Sequence, residues 1–282
     1  MIRPSVWSTY FYELSMPDKI AAFTENCFWC SELSDEDGHA MLEQHGSPAA
    51  AGAYLKKLCD DTGFAFPQGH LWLHARITDA DYMEKIDILK KWLDMYLEAG
   101  IHRAVLHGGS RAGAPDTYGK PTAELSYEEM KHRRMTVLGA LLDHVKGTPL
   151  VICMENLYKT DLDTSAGLMA LMREANHENL GICLDTGHLN LTGEPQIDFL
   201  RACGSYVKAL HITDNEGERD QHIIPFGKGT VDFFSVVRGL REIGYDGLFN
   251  YEIPGDRHAP DQILRYKLRY LQSVTDYLFK NA

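Results

Sequence analysis

NLGICLDTGHLNLTG (179–193) and VKALHITDNEGERDQHIIP (207–225) decide how this chain is read. Each opens on a short apolar run that breaks, at its C-terminal end, into carboxylates and imidazoles: GICL into Asp185 and His188, VKAL into His211. Strands that end in metal-ligating residues have this form. They can share an ion only in a fold that brings their C-terminal ends together.

The same design recurs on either side. LVICM (150–154) runs into Glu155 and LFNY (248–251) into Glu252, so four candidate ligands end four successive apolar runs at intervals of 30, 26 and 41 residues. Each interval suits one βα unit with its loops, and in a closed parallel barrel all strand C-termini meet at one mouth. A single carboxylate at such a place is ordinarily a loop cap; four at matching places point to one site. Residues two apart on a strand share a face, so Cys153, Cys183, Ala209 and Asn250 are expected one layer deeper, where small side chains fit a crowded interior. Three carboxylates and one imidazole without a thiolate form a hard donor set. It suits one Mn²⁺ or Mg²⁺ ion, with Co²⁺ or Zn²⁺ as alternatives. His188, three residues past Asp185, is in reach as an outer donor, a substrate contact or a ligand of another ion.

Read for period, the whole chain alternates β-rich and amphipathic runs. Strands are expected at 6–14, 27–33, 64–74, 102–107, 149–154, 180–184, 207–212 and 247–251. Helices are expected to start at Met16 and to cover 48–61, 79–99, 126–145, 165–175, 198–203, 231–243 and 260–279, with SDEDG (34–38) as a polar turn and 111–125 as a long loop. Eight alternations without a linker predict a single (β/α)8 TIM barrel domain over 1–282, with eight parallel strands. A doubly wound open sheet would show a glycine-rich phosphate turn after its first strand, and WSTYFYELSM has none.

Composition narrows the function. A net charge of −12 over 282 residues, with Lys and Arg thinly spread, argues against a nucleic-acid partner, whose phosphates need clustered cations. The N-terminal segment has no apolar stretch of signal or membrane length, so a soluble, cytoplasmic protein without a membrane partner is expected. Six cysteines in a chain of this size do not resemble a disulfide framework. Cys27 and Cys30 form a CxxC with no second pair, and packing is the simpler reading.

At HGGS (107–110), MENL (154–157), LDTGH (184–188), the segment 211–232 and YEIPG (251–255) the sequence resembles the xylose isomerase-like TIM barrels. That superfamily comprises sugar phosphate isomerases and epimerases and also endonuclease IV. Its ketose 3-epimerase pattern implies metal ligands at Glu155, Asp185, His211 and Glu252, with the two glutamates doubling as catalytic acid and base, and a substrate contact at His188. That pattern usually places an arginine six residues after the ligand histidine; this chain has Gly217 there, and Arg219 two later. Endonuclease IV adds zinc-binding histidines on the third and fourth strands and an aspartate-x-histidine pair, for which this chain offers His70 or His74, His107, Asp220 and His222.

The resemblance thus implies a divalent-metal-dependent isomerase or epimerase of a sugar or sugar phosphate, with or without a homo-oligomeric assembly. It would abstract a proton next to a carbonyl through a metal-stabilised enediolate. His188, Arg219, Asp220 and His222 would hold hydroxyls or a phosphate, His107 and His70 would line the far side, and Trp29, Trp72 and Phe226 are candidate apolar walls. An endonuclease IV-like, zinc-dependent abasic-site nuclease and an inosose dehydratase-like lyase are the alternatives.

Overall fold

Each apolar run pairs with the next, and every pairing is parallel. The computed structural model describes residues 2–111 and 124–282. Its strands are β1 (Arg3–Trp7), β2 (Cys30–Leu33), β3 (Ala65–His70), β4 (Arg103–His107), β5 (Val151–Glu155), β6 (Leu180–Asp185), β7 (Val207–His211) and β8 (Leu248–Tyr251). They follow the order β7-β6-β5-β4-β3-β2-β1-β8. A parallel bridge between Ile212 and Tyr251 draws the ends of the sheet together, and the Ile212 amide donates to the Asn250 carbonyl at 2.7 Å. The fold is the expected (β/α)8 barrel. Most of the loop expected at 111–125 falls on 112–123, outside the described residues.

The helices pack outside the strands: α1 (Met16–Thr24), α2 (Asp35–His45), α3 (Pro48–Thr62), α4 (Tyr82–Ala99), α5 (Tyr127–Val145), α6 (Ser165–Ala175), α7 (Thr186–Asn190), α8 (Gln196–Cys203), α9 (Phe233–Glu242) and α10 (Asp261–Asn281). Two of these differ from the sequence expectation. SDEDG is the start of α2 and not a turn: the Ser34 hydroxyl accepts from the Asp37 amide, and Asp35, Glu36 and Asp37 complement the positive end of the helix. The turn after β6 winds into the short α7, for which Asp185 itself is the cap.

Three strands are also shorter than expected. β1 ends at Trp7, where Ser8 and Thr9 turn the chain by bonding Ser34 and Glu36. β2 begins only at Cys30 because Cys27 adopts a left-handed backbone, φ 65°. β3 stops at His70, and a turn closes as the Ala75 amide donates to the Trp72 carbonyl.

The principal core lies between strands and helices. Inside the barrel a small plug of Val105, Cys153, Cys183 and Ala209 is fully buried, as expected for the layer beneath the mouth. Asn250, expected in that layer, instead joins a polar one: it accepts from the Ser5 hydroxyl at 2.9 Å and donates to Glu32.

Gly38, inside α2, shows how tightly the outer shell packs. A β-carbon there would lie 2.3 Å from the ring of the buried Trp92 on α4. Gly38→Ala is expected to destabilise the fold by about 1–3 kcal/mol, the usual cost of overpacking against a rigid ring. Urea unfolding checks this; an unchanged midpoint would contradict the packing.

Candidate metal centre

β5, β6, β7 and the end of β8 deliver Glu155, Asp185, His211 and Glu252 to the mouth, each buried, with one ligand atom from each within 4.8 Å of all the others. Carboxylates seldom converge in a dry interior unless something positive joins them. Here Glu155 Oε2, Asp185 Oδ2, His211 Nδ1 and Glu252 Oε2 are all buried without a hydrogen-bond partner. Four orphaned donor atoms aimed at one point fit a divalent cation. The chemistry of the set, three oxygens and one imidazole nitrogen, suits a hard ion.

The remaining contacts of these residues fix their orientation. Asp185 Oδ1 accepts from the His188 amide at 2.6 Å and from the Thr213 hydroxyl at 3.0 Å, leaving Oδ2 free. His211 Nε2 lies 3.1 Å from both oxygens of Glu32, which turns Nδ1 towards Glu155 and Glu252, each at 3.3 Å. Glu32 is itself held by Gln68 Nε2 at 2.6 Å. Glu32, fully buried on β2, went unread in the sequence. A carboxylate inside a buried strand, CSEL, was the available signal.

Two further donor groups lean on the same carboxylates: His70, His107 and Glu155, and Asp185, His188 and His222. Three of these imidazoles are anchored alike. His70 Nδ1 donates to the Leu71 carbonyl (2.7 Å), His188 Nδ1 to Asn156 (3.0 Å) and His222 Nδ1 to Glu252 (2.9 Å). With Nδ1 the proton carrier, each Nε2 is left to face the site. Asp220 bridges two of them, 3.2 Å from His188 Nε2 and 3.2 Å from His222 Nε2. His107 Nε2 lies 3.0 Å from Glu155 Oε2, and His70 Nε2 lies 3.6 Å from it. His222 takes a left-handed backbone, φ 44°, a conformation that costs about 1–3 kcal/mol and is typical of positioned residues.

Of the other candidates, Trp72 lines a cavity of about 180 Å³ together with His70 and His107. Arg219 is exposed and makes no ion pair among the described residues. Gly217, where the resemblance called for arginine, has φ 82° and donates its amide to Asn215, a conformation that disfavours a side chain there. His74 is exposed and tilts against Trp72. Trp72 stacks on His39 at 4.8 Å, and Phe226 packs on Phe233 and Phe234. Trp29, expected as a wall, precedes β2 and so sits at the opposite end of the barrel from the mouth. Cys27 and Cys30 are free thiols, the second buried, as packing residues would be.

The electrostatics follow from this crowding. Burial works to depress His70, but the nearby carboxylate of Glu155 outweighs it and lifts the imidazole to about 9. Against the same burial, Glu252, Asp220 and Asp185 raise His222 to about 10. His188 and His211 are likewise held well above the usual imidazole range, mainly by Asp185 and by Cys183 and Glu252 respectively. His107 goes down because burial dominates. Burial lifts Glu252 to about 7, while His211 and His107 hold Glu155 well below the carboxylate range despite its own burial.

The sequence profile described as xylose isomerase-like TIM barrel matches residues 31–274. The chain belongs to this family. Among curated xylose isomerase-like and other relatives, a ketose 3-epimerase of Arthrobacter globiformis is 30% identical over 118 residues, 41% of this chain and 39% of that protein. An inosose dehydratase of Geobacillus thermodenitrificans is 24% identical over 221 residues, 72% of this chain and 73% of that one. Several of these relatives are matched over only 39% to 57% of their own length. The structure of a D-psicose 3-epimerase with D-tagatose from Clostridium cellulolyticum H10 superposes with a TM-score of 0.79 at 16% identity, covering 99% of both chains. At that identity the likeness speaks for the fold.

Two outcomes are expected of the candidate centre. Glu32→Gln should weaken divalent-metal binding about 10–100-fold with the fold intact, as loss of an outer partner of a ligand histidine does; an unchanged affinity by calorimetry would contradict the role of Glu32. Metal-free protein should lose stability as pH rises. The raised pKa values of His70 and His222 stabilise the fold fully below the unfolded value near 6.5, and that contribution disappears as pH climbs through about 9 to 10. Melting in chelator from pH 6.5 to 10, wild type against His222→Gln, checks this: the gap between them should shrink with rising pH, and a constant gap would contradict it.

Proposed function

We propose that this chain is a divalent-metal-dependent isomerase or epimerase of a ketose sugar, acting by removal and return of a proton at the carbon next to the carbonyl. The observation that carries the reading is the pair Glu155 and Glu252. They stand on β5 and at the end of β8, on separate strands of one mouth, with His211 Nδ1 3.3 Å from each. Two carboxyl groups set on different strands around one site can serve a bound sugar as base and acid. Glu155 takes the proton, and Glu252 returns one from the other side.

Glu155, Asp185, His211 and Glu252 would hold the ion, Mn²⁺ or Mg²⁺ by the hardness of the set, with Co²⁺ or Zn²⁺ as alternatives. Bound there, a divalent ion supplies Lewis acidity towards neighbouring sugar oxygens. His188, anchored at Nδ1, directs its Nε2 towards a substrate hydroxyl beside Asp220. His222 and Asp220 form the wall next to Glu252, and His70 and His107 the wall next to Glu155. Arg219, on the exposed loop, would meet a phosphorylated end. The ketose 3-epimerases among the sequence and structural relatives support the substrate class. We assign the barrel as one domain spanning 1–282.

Incubation with a panel of ketoses in D₂O should place deuterium next to the carbonyl and give a new epimer or isomer. Glu155→Gln and Glu252→Gln should each lower turnover at least about 100-fold, the usual effect of removing a general base or acid. Release of water would favour the inosose dehydratase-like reaction, which starts with the same proton abstraction. No exchange with any sugar, together with about three zinc ions per chain and nicking of abasic DNA, would overturn the assignment; an endonuclease IV-like reading draws on the flanking histidine groups.

A further inference from the structure

We propose that the opposite end of the barrel carries a second binding site, for a multiply charged anion such as a phosphoryl group, in a cavity of about 430 Å³ bordered by Arg3, Arg103 and Lys208. Alternation along the strands sends the first two inwards. Arg103 precedes by two the plug residue Val105, and Arg3 precedes by two Ser5, which bonds Asn250 inside the barrel. Lys208 arrives by a different route. The β6–β7 register steps from Ile182↔Val207 to Cys183↔Ala209, so Lys208 is an extra residue, and a bulge of this kind re-aims a side chain. Its stem runs over Gly181, where a β-carbon would meet Lys208 Cγ at 2.6 Å; only glycine leaves room for it.

Arg103 and Lys208 are half-buried and Arg3 is exposed at the rim. The half-buried Arg76, Lys85, Arg133 and Arg265 each have a carboxylate within 4.0 Å. Among the described residues neither Arg3, Arg103 nor Lys208 has one. The acid bordering the cavity is the exposed Asp246, which leaves a local excess of positive charge in a chain whose net charge is −12. Helix ends on this side present carbonyls that offset part of the charge, but they do not fill the space. The plug and the Gln68–Glu32 contact separate this cavity from the metal centre.

The test is calorimetric titration of inorganic phosphate into the full-length protein. Wild type should give a saturable heat; Arg103→Gln and Lys208→Gln should each weaken binding about tenfold or more, the usual effect of losing a charge-assisted hydrogen bond. Asp246→Asn should tighten it, a change that a folding defect in the other variants could not mimic. Absence of saturable heat overturns the proposal. So does an affinity that none of these three substitutions moves but that Asp185→Asn abolishes, since the phosphate would then sit at the mouth.

Discussion

His211 holds the mouth of the barrel together. One nitrogen faces Glu32 and the other faces Glu155 and Glu252, with Asp185 beside it, so four buried carboxylates crowd one imidazole. Leaving a buried charge unpaired costs several kcal/mol per ion. Without a metal, the compensation available is protonation, and His70, His188, His211 and His222 are raised accordingly, while burial keeps His107 down. Protons and a divalent cation compete for the same orphaned atoms, so occupancy by one displaces the other. The rest of the site can be understood as the means of keeping these groups close against their mutual repulsion.

Those means lie in the layers below and beside the ligands. The plug of Val105, Cys153, Cys183 and Ala209 supplies a small, dry floor. Burial raises the thiols of Cys153 and Cys183, which lie in this plug one layer below the ligands and outside the donor set. Backbone carbonyls of Leu71, Asn156 and Glu252 each accept a hydrogen bond from an imidazole Nδ1 and so decide which nitrogen looks inwards. Three loops thereby acquire rigidity from the strands they follow.

Much of this was legible in the chain. The barrel followed from eight alternations of period, and Glu155, Asp185, His211 and Glu252 stood out because apolar runs ended in them at βα intervals. The misreadings have local causes. SDEDG has the composition of a turn and also that of a capped helix start; Ser34 and the three acids decide in favour of the helix once α4 is there to pack against. The signal for Glu32 was weak, because a charged residue within the four-residue strand CSEL cannot be told from a solvent-facing one by alternation alone. Trp29 was placed near the mouth because the start of β2 was set three residues too early. The choice between His70 and His74 needed the turn after β3, which leaves only His70 beside Glu155.

The account rests on a cation joining Glu155, Asp185, His211 and Glu252. The most direct measurement is anomalous diffraction from crystals grown with Mn²⁺, which locates the ion irrespective of any activity. The prediction is one principal peak within bonding distance of all four side chains, with His211 bound through Nδ1 and Glu32 on its other nitrogen. A principal peak between His188 and His222 with the central group empty, or no peak at the mouth at all, would contradict it.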